Sequence, residues 1–369
     1  MQFSKTDYQM MSRAIQLAKG GIFTTHPNPN VGCVIAKDGE IIGEGFHYRA
    51  GEPHAEVHAL RAAGDSAEGA TAYVTLEPCS HYGRTPPCAE ALIKAKVSRV
   101  ICAMEDPNPQ VAGRGVNMLR DAGIEVGVGL LEAESNALNP TFLKKMRTGM
   151  PYVQLKLASS LDGKTALSNG VSKWITSPEA RRDVQRFRAQ SGAILSTSKT
   201  VIEDNASLTV RWSELPDSIK NQYSESEVRQ PVRVILDRQN QLELKKDELA
   251  LFKAESEVIS VSEREQSDLT VPLDATGNLD LKETLQRLAK EQNINHIWIE
   301  AGATLAASLI EQKLVDELIL YQAPKLMGGD SRSLINMSGL TEMSQAVELD
   351  IKDVRMVGPD VRVIATISN

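Results

Sequence analysis

The chain has 369 residues, which predicts about two domains of ordinary size. Its composition, 41% hydrophobic and 24% charged, is that of a globular protein and excludes disorder or low complexity. The 41 basic and 48 acidic residues leave a net charge of −7 with no basic block, which speaks against a nucleic-acid partner.

In chain order, Met1 to Asp7 has no apolar core and no small-residue cleavage site, so no secretory signal is expected. Ser4 or Thr6 caps a first helix carrying Met10, Met11, Ile15 and Leu17 and ending near Gly20. Residues 31–36 read as a buried strand, Asp38-Gly39 as a turn, and Ile41 as the start of a second strand. Further strands are predicted at 72–76, 99–104 and 124–130, with helices at 89–95 and 116–122. This pattern predicts a layered α/β domain. The stretch 143–151, with Lys144, Lys145, Arg147, Gly149 and Pro151, reads as a connection and places the domains at 1–147 and 148–369.

A second α/β unit opens with a strand at 152–157. Strands follow at 193–195, 232–236, 258–261, 296–299 and 317–321, and helices at 178–190, 281–291 and 304–312. A closing hairpin pairs 354–357 with 361–367, and the polar stretches 214–229 and 239–246 read as surface loops. No run of about 18 apolar residues occurs, so no membrane span is expected.

Cys33, Cys79, Cys88 and Cys102 are too few for a disulfide framework, which predicts a reduced, cytoplasmic protein whose working cysteines are metal ligands. His54-Ala55-Glu56 is followed by Pro78-Cys79 and then Cys88, the H-x-E…P-C…C pattern of zinc deaminases. Neutral His54 and the Cys79 and Cys88 thiolates would hold Zn2+ and leave a fourth position for water, whose pKa the metal lowers. Glu56 would take the water proton and pass it to the leaving ammonia. His54 and Glu56 converge if the site lies over the first turn of a helix starting near Pro53. Cys88 follows Pro86-Pro87, where a helix begins and favours thiolate. The alternative is a closed structural zinc site with His58 or His81 as fourth ligand. Cys33 and Cys102 lie in apolar strands and read as buried small hydrophobes. The second unit has no G-x-G-x-x-G. Its candidate phosphate cradle is 296–305, a strand running through Gly302 into a helix, against the plainer reading of a tight turn.

One family carries the same segments. They are Thr25-His26-Pro27-Asn28-Pro29-Asn30-Val31-Gly32, His54-Ala55-Glu56-Val57-His58-Ala59-Leu60, Leu76-Glu77-Pro78-Cys79-Ser80-His81, Gly83-Arg84-Thr85-Pro86-Pro87-Cys88 and the run from Asp106-Pro107-Asn108-Pro109 to Gly115. The second unit adds the run from Gln154 to Lys164, then Trp174-Ile175-Thr176-Ser177, Arg186-Phe187-Arg188, Thr200-Val201-Ile202-Glu203-Asp204, Leu208-Thr209-Val210-Arg211 and Ala323-Pro324-Lys325. Over its whole length the chain resembles the bifunctional riboflavin-biosynthesis deaminase/reductases. The resemblance implies a cytidine-deaminase-like α/β/α layer domain followed by a dihydrofolate-reductase-like α/β domain that uses NADPH. It implies zinc-dependent deamination of 2,5-diamino-6-(5-phosphoribosylamino)pyrimidin-4-one. Reduction of the ribosyl group would then give 5-amino-6-(5-phosphoribitylamino)uracil.

By the same resemblance Asn28, His47, His81 and Asn108 are pocket residues of the deaminase, although both asparagines also suit turns. Ala158, Trp174, Thr200, Asp204, Gly302, Ala303, Thr304 and Leu305 would meet the cofactor, and Ser172, Arg188, Leu208, Arg211 and Glu300 the substrate. Arg188 and Arg211 can fork onto a phosphate. Trp174 offers a flat face, against a plain core reading beside Ile175. Lys156 and Asp204 are the ionisable groups for proton delivery, against an ordinary surface ion pair. The resemblance also implies a homo-oligomer, a small phosphorylated substrate, and neither nucleic acid nor membrane as partner. The chain departs from many family members in carrying Thr197 and Lys199 in place of glycines, Ala206 in place of Pro, and Ala303 where Gly or Pro is common. Two other readings stand beside this one: a deaminase of nucleic-acid bases with a C-terminal binding module, and structural zinc joined to a ligand-sensing domain.

Overall fold

The computed structural model describes residues 2–82, 86–108 and 111–367, so Gly83, Arg84, Thr85, Pro109 and Gln110 of the quoted motifs lie outside the described residues. The chain divides into two compact units, Met1–Gly149 and Met150–Asn369.

In the first unit Ser4 caps helix α1 (Lys5–Ala18), and Asp7 closes a capping box back onto the Ser4 amide. Asp7 is buried, and its carboxylate also accepts from Tyr73 Oη and Arg99 Nη1, both at 2.8 Å. Strand β1 (Gly32–Lys37) turns through Asp38 and Gly39, both at positive φ, into β2 (Glu40–Phe46). Then come α2 (Ala55–Ala63), β3 (Thr71–Val74), α3 (Cys88–Lys94), β4 (Arg99–Cys102), α4 (Arg114–Asp121), β5 (Glu125–Val128), α5 (Glu132–Leu138) and α6 (Pro140–Thr148). The sheet order is β2-β1-β3-β4-β5. β1 runs antiparallel to β2 and β3, and β3, β4 and β5 are parallel. Alternation along β1 divides the core into two layers. Cys33 and Ile35 pack with Ala55, Ala59, Leu92 and Leu119, and Val34 and Ala36 pack with Met10, Met11, Ala14 and Ile15 of α1.

The stretch expected as a connection is helical up to Thr148, because α6 has Pro140 in its first turn and ends on Gly149 at φ +72°. Its run of charges misleads in sequence, because Lys144 and Lys145 are half-buried on a helix whose buried residues are Phe142 and Leu143.

The second unit comprises β6 (Tyr152–Ser160), β7 (Lys164–Ala166), α7 (Pro178–Gln190), β8 (Ala193–Thr197), α8 (Ser198–Asp204), α9 (Asp217–Lys220), β9 (Val232–Leu236), α10 (Ala250–Lys253), β10 (Val258–Ser262) and β11 (Leu269–Thr270). It continues with α11 (Leu281–Glu291), β12 (His296–Glu300), α12 (Ala303–Glu311), β13 (Glu317–Ala323), β14 (Arg332–Ser333), β15 (Leu349–Val357) and β16 (Asp360–Ile367). Nine strands form one sheet in the order β11-β10-β9-β8-β12-β6-β13-β16-β15. It is parallel from β11 to β13, and the β15–β16 hairpin adds antiparallel strands at one edge. One face packs Leu155, Leu195 and Ile299 with α11 and α12, and the other packs Ile194, Trp298 and Ile319 with α7. The two polar stretches expected as surface loops hold short helical turns as well, and they bury Ile219, Tyr223 and Leu242. No helix among the described residues is long and apolar enough to cross a membrane.

Candidate functional site

In the first unit two helix N-termini converge. His54 is the N-cap residue of α2, and its side chain makes no capping bond, so the ring is free to turn elsewhere. Cys88 is the first residue of α3, directly after Pro87. Cys79 lies on the segment between β3 and α3, and the Cys88 amide donates to its Sγ at 3.3 Å. His54 Nδ1 lies 3.6 Å from Cys79 Sγ and 3.3 Å from Cys88 Sγ. The three donor atoms lie within 4.8 Å of one another, and neither His58 nor His81 joins them. One imidazole and two thiols at this spacing fit a zinc ion and leave room for a further ligand. Hydrogen bonds from Cys88 and His54 lower the Cys79 thiol's pKa, while the same Cys79 contact and burial push the Cys88 thiol up, so the pair favours a thiolate on Cys79.

Glu56 sits in the first turn of α2 and is 3% exposed. Burial pushes its carboxyl up to about 7, and its Oε2 has no hydrogen-bond partner. A buried, unpaired carboxyl oxygen is costly unless a ligand completes it. α2 reaches this place because β2 carries glycine beneath it: a Cβ at Gly45 would lie 2.4 Å from the Ala55 carbonyl oxygen.

The expected pocket residues divide. The His47 ring lies edge-on to His54, centroids 5.3 Å apart. His47 Nδ1 lies 3.2 Å from the Pro53 carbonyl oxygen and Nε2 lies 3.1 Å from Asn28 Nδ2. The carbonyl can only accept and the amide can only donate, so the proton belongs on Nδ1 and the ring is neutral. Burial lowers the His47 pKa in the same sense. Asn108 is half-buried, its amide donating to Asp106 Oδ1 at 2.8 Å, whereas His81 is exposed. Cys33 and Cys102 are fully buried in the apolar core. Glu77, within the Leu76-Glu77-Pro78-Cys79 motif, carries no signal in sequence that sets it apart. It is buried, and its carboxylate accepts the amides of Asp106, Gly113 and Val116 at 3.1, 2.9 and 3.1 Å. It thereby fixes the backbone around Asn108 and the start of α4.

In the second unit Glu300, at the end of β12, and Arg188, in the last turn of α7, form a buried bidentate pair at 2.6 and 2.9 Å. Trp298 Nε1 donates to the same carboxylate at 2.9 Å. Burial raises the Glu300 pKa, but Arg188, Lys156 and Trp298 prevail and hold it at about 2. The Arg188 fork expected on a phosphate is thus engaged by Glu300, because a bidentate carboxylate inside the fold satisfies it first. Arg211 likewise forks onto Glu214 at 2.6 and 2.8 Å, but at the surface. Lys156 and Asp204 do not pair with each other. Asp204 is exposed and pairs with Lys173 at 3.3 Å, while burial lowers the Lys156 pKa on the sheet beside Glu300.

Trp174 is 65% exposed, not core, with Arg181 stacked 4.4 Å from its ring centroid. Lys325 Nζ donates to the Trp174 and Ile175 carbonyls, both at 2.8 Å, and so holds that segment. Ser172 is exposed nearby in sequence, and Ala158 is half-buried on β6. Leu208 has its side chain buried at φ +53°, which leaves only its backbone for a ligand. Gly302 is the N-cap residue of α12, with no side-chain cap and nothing within 4 Å of a Cβ built there; Ala303, Thr304 and Leu305 form the first turn. The departures at Thr197 and Lys199 are accommodated. The Thr197 hydroxyl caps α8 at the Thr200 amide, 3.3 Å away, and Lys199 lies outside, 3.9 Å from Glu203.

A deaminase-type zinc domain followed by a parallel α/β domain with an uncapped helix N-terminus beside a buried charge cluster defines a two-site enzyme class. The family model described as the cytidine and deoxycytidylate deaminase zinc-binding region matches residues 4–104, and that of the RibD C-terminal domain matches residues 151–363. The riboflavin biosynthesis protein RibD of Escherichia coli (strain K12) is 55% identical over 360 residues, 96% of this chain and 98% of the relative. The solved structure of Acinetobacter baumannii RibD is 47% identical with a TM-score of 0.90, covering 99% of both chains. That of a Thermotoga maritima diaminohydroxyphosphoribosylaminopyrimidine deaminase/5-amino-6-(5-phosphoribosylamino)uracil reductase is 34% identical with a TM-score of 0.84, covering 98% of this chain and 99% of that one. The chain belongs to the RibD family, the bifunctional deaminase/reductases of riboflavin biosynthesis.

Proposed function

We propose that the first unit deaminates 2,5-diamino-6-(5-phosphoribosylamino)pyrimidin-4-one. The second then reduces the ribosyl group of the product with NADPH, giving 5-amino-6-(5-phosphoribitylamino)uracil. The observation that carries this reading is the buried Glu56 carboxylate, unpaired at Oε2, beside the His54–Cys79–Cys88 donor set. Zinc on those three residues supplies Lewis acidity and an activated water. Glu56, near 7, accepts a proton and returns it to the departing ammonia with little driving force lost either way. Neutral His47 accepts from Asn28 Nδ2, which leaves Asn28 Oδ1 available as an acceptor for an amino group of the pyrimidine. Asn108 and His81 would add substrate contacts from the loops that carry Asp106 and Cys79.

In the second unit the free amides of α12 at Ala303, Thr304 and Leu305, with open space over Gly302, suit a cofactor phosphate. Trp174, Ala158, Thr200 and Asp204 would contact the cofactor. NADPH supplies the hydride. Arg211 exchanges Glu214 for the substrate phosphate, and Arg188 and Glu300 bind as one unit together with Ser172 and the Leu208 backbone. Lys156, buried with a lowered pKa, is the proton donor, and exposed Asp204 is not needed for that step. A test incubates purified, zinc-loaded protein with the diaminopyrimidinone ribosyl phosphate, with and without NADPH. Ammonia without cofactor, and NADPH oxidation only after deamination, are the expected results. No ammonia from folded, zinc-loaded protein would sink the deaminase assignment.

The reading extends to a homo-oligomer in a reducing cytoplasm that keeps Cys79 and Cys88 from being oxidised. Leu349, Ile351, Val354 and Met356 of β15 are 45–62% exposed, and their partners in the register, Ile367, Ala365, Val363 and Val361, alternate along β16. All four therefore share one face of the edge strand, which suits a second copy of the chain. Ile351→Lys with Val354→Lys is expected to lower the mass seen by sedimentation to that of one chain. An unchanged mass would remove β15 from the contact.

A further inference from the structure

We propose that Arg233 is a positioning residue of the second site, bracing the segment 204–211 that meets substrate and cofactor. This rests on the reductase reading above. Arg233 lies on β9 and is 0% exposed, yet no carboxylate pairs with it among the described residues. It donates instead to four backbone carbonyls: Ser207 at 3.3 Å, Ala254 at 3.1 Å, Leu251 and Ser256. A guanidinium buried without an anion is costly; four carbonyls on Nη1 and Nη2 offset that cost, while Nε has no partner among the described residues. The structure tolerates that cost at the place where the 250–256 segment is tied to Ser207.

Two residues further on, Arg188 Nη1 donates to the Thr209 carbonyl at 2.9 Å. Between these two pinned carbonyls stands Leu208 at φ +53°, a conformation that a bulky side chain adopts only under constraint. The flanks are held by side chains as well. Gln230 exchanges two bonds with the Val210 backbone at 2.8 and 2.9 Å, and Gln185 accepts the Arg211 amide at 3.0 Å. Asn205 Oδ1 accepts the Ala250 amide at 2.8 Å, a second tie to the segment that Arg233 grips. No strand pairing orders residues 205–211, so these side chains set where Leu208 and Arg211 stand. Arg233 anchors that arrangement from beneath without reaching the ligand.

The experiment uses the full chain, whose ammonia release reports on the other site. NADPH oxidation is followed on the deaminated intermediate. Arg233→Lys keeps the charge but cannot reach four carbonyls; it is expected to raise the KM for that intermediate about tenfold, with kcat within about twofold. Gln230→Ala, the milder variant, should raise KM about threefold. Leu208→Gly in the Arg233→Lys background should recover part of the KM, because glycine holds positive φ without strain. A merely structural Arg233 predicts the opposite, a further loss on removing the buried Leu208 side chain. If Arg211→Ala raises KM but Arg233→Lys and Gln230→Ala do not, the inference is overturned and the reductase reading stands. If Arg211→Ala itself leaves KM unchanged, the reading of this segment as a substrate contact fails and the inference with it.

Discussion

Glu56→Gln is expected to lower ammonia release by about 10²–10⁴-fold, the range of a positioned general acid–base group. Glutamine has the same size, so the first turn of α2 and the His54–Cys79–Cys88 donor set should persist, and metal analysis should find zinc retained. What is lost is a carboxyl that burial poises at about 7 and that therefore serves as base and then as acid at neutral pH. NADPH oxidation of supplied deaminated intermediate should be unchanged, which separates loss of chemistry from loss of fold. Undiminished ammonia release with zinc in place would remove Glu56 from the reaction. Zinc loss in the variant would instead make Glu56 a support of the donor set.

Glu300→Gln should cost the second unit about 3–5 kcal/mol of stability, because it leaves the buried Arg188 guanidinium without its anion. The same pair carries a pH signature. The Glu300 carboxyl is held at about 2 against its ordinary 4.5, so the native state binds fewer protons than the unfolded state between those values. Its stabilising contribution is complete above about 4.5 and is lost as pH falls through about 2. Denaturant unfolding from pH 5 to 2 should therefore show a steeper decline in the parent than in the variant. Parallel curves would show that Arg188 is satisfied without Glu300. Reductase activity should fall as well, since the Arg188 fork would no longer be aligned.

The two sites differ in how far they could be read from residues alone. The zinc ligands and Glu56 stand in order along the chain, with prolines marking the helix starts, so chemistry and local geometry were both written in short segments. The long parallel strands, α7 and α11 were legible for a similar reason, since apolar runs and 3.6-residue periodicity are local signals. Helix α6 was not, because its cluster of charges beside Gly149 and Pro151 resembles a linker. The reductase site was legible only by resemblance. Its residues are spread from β6 to α12, and each alone reads as core, turn or surface.

Two α/β units, the metal-ligand set with its carboxylate, and the absence of a glycine-rich dinucleotide fingerprint can all be read from the residues in order. Tertiary structure alone decided the partners of the buried charges. Arg188 meets Glu300 across 112 positions of the chain, Glu77 takes amides 29–39 residues away, and Arg233 finds carbonyls rather than an acid. Tertiary structure also exposed Trp174, which removes the plain core reading that stood beside the cofactor one. The physical reason is one of range. Helix starts, turns and ligand spacing are fixed by neighbours within a few residues, while a buried ion's partner is chosen by whatever the packed sheet brings within about 3 Å of it.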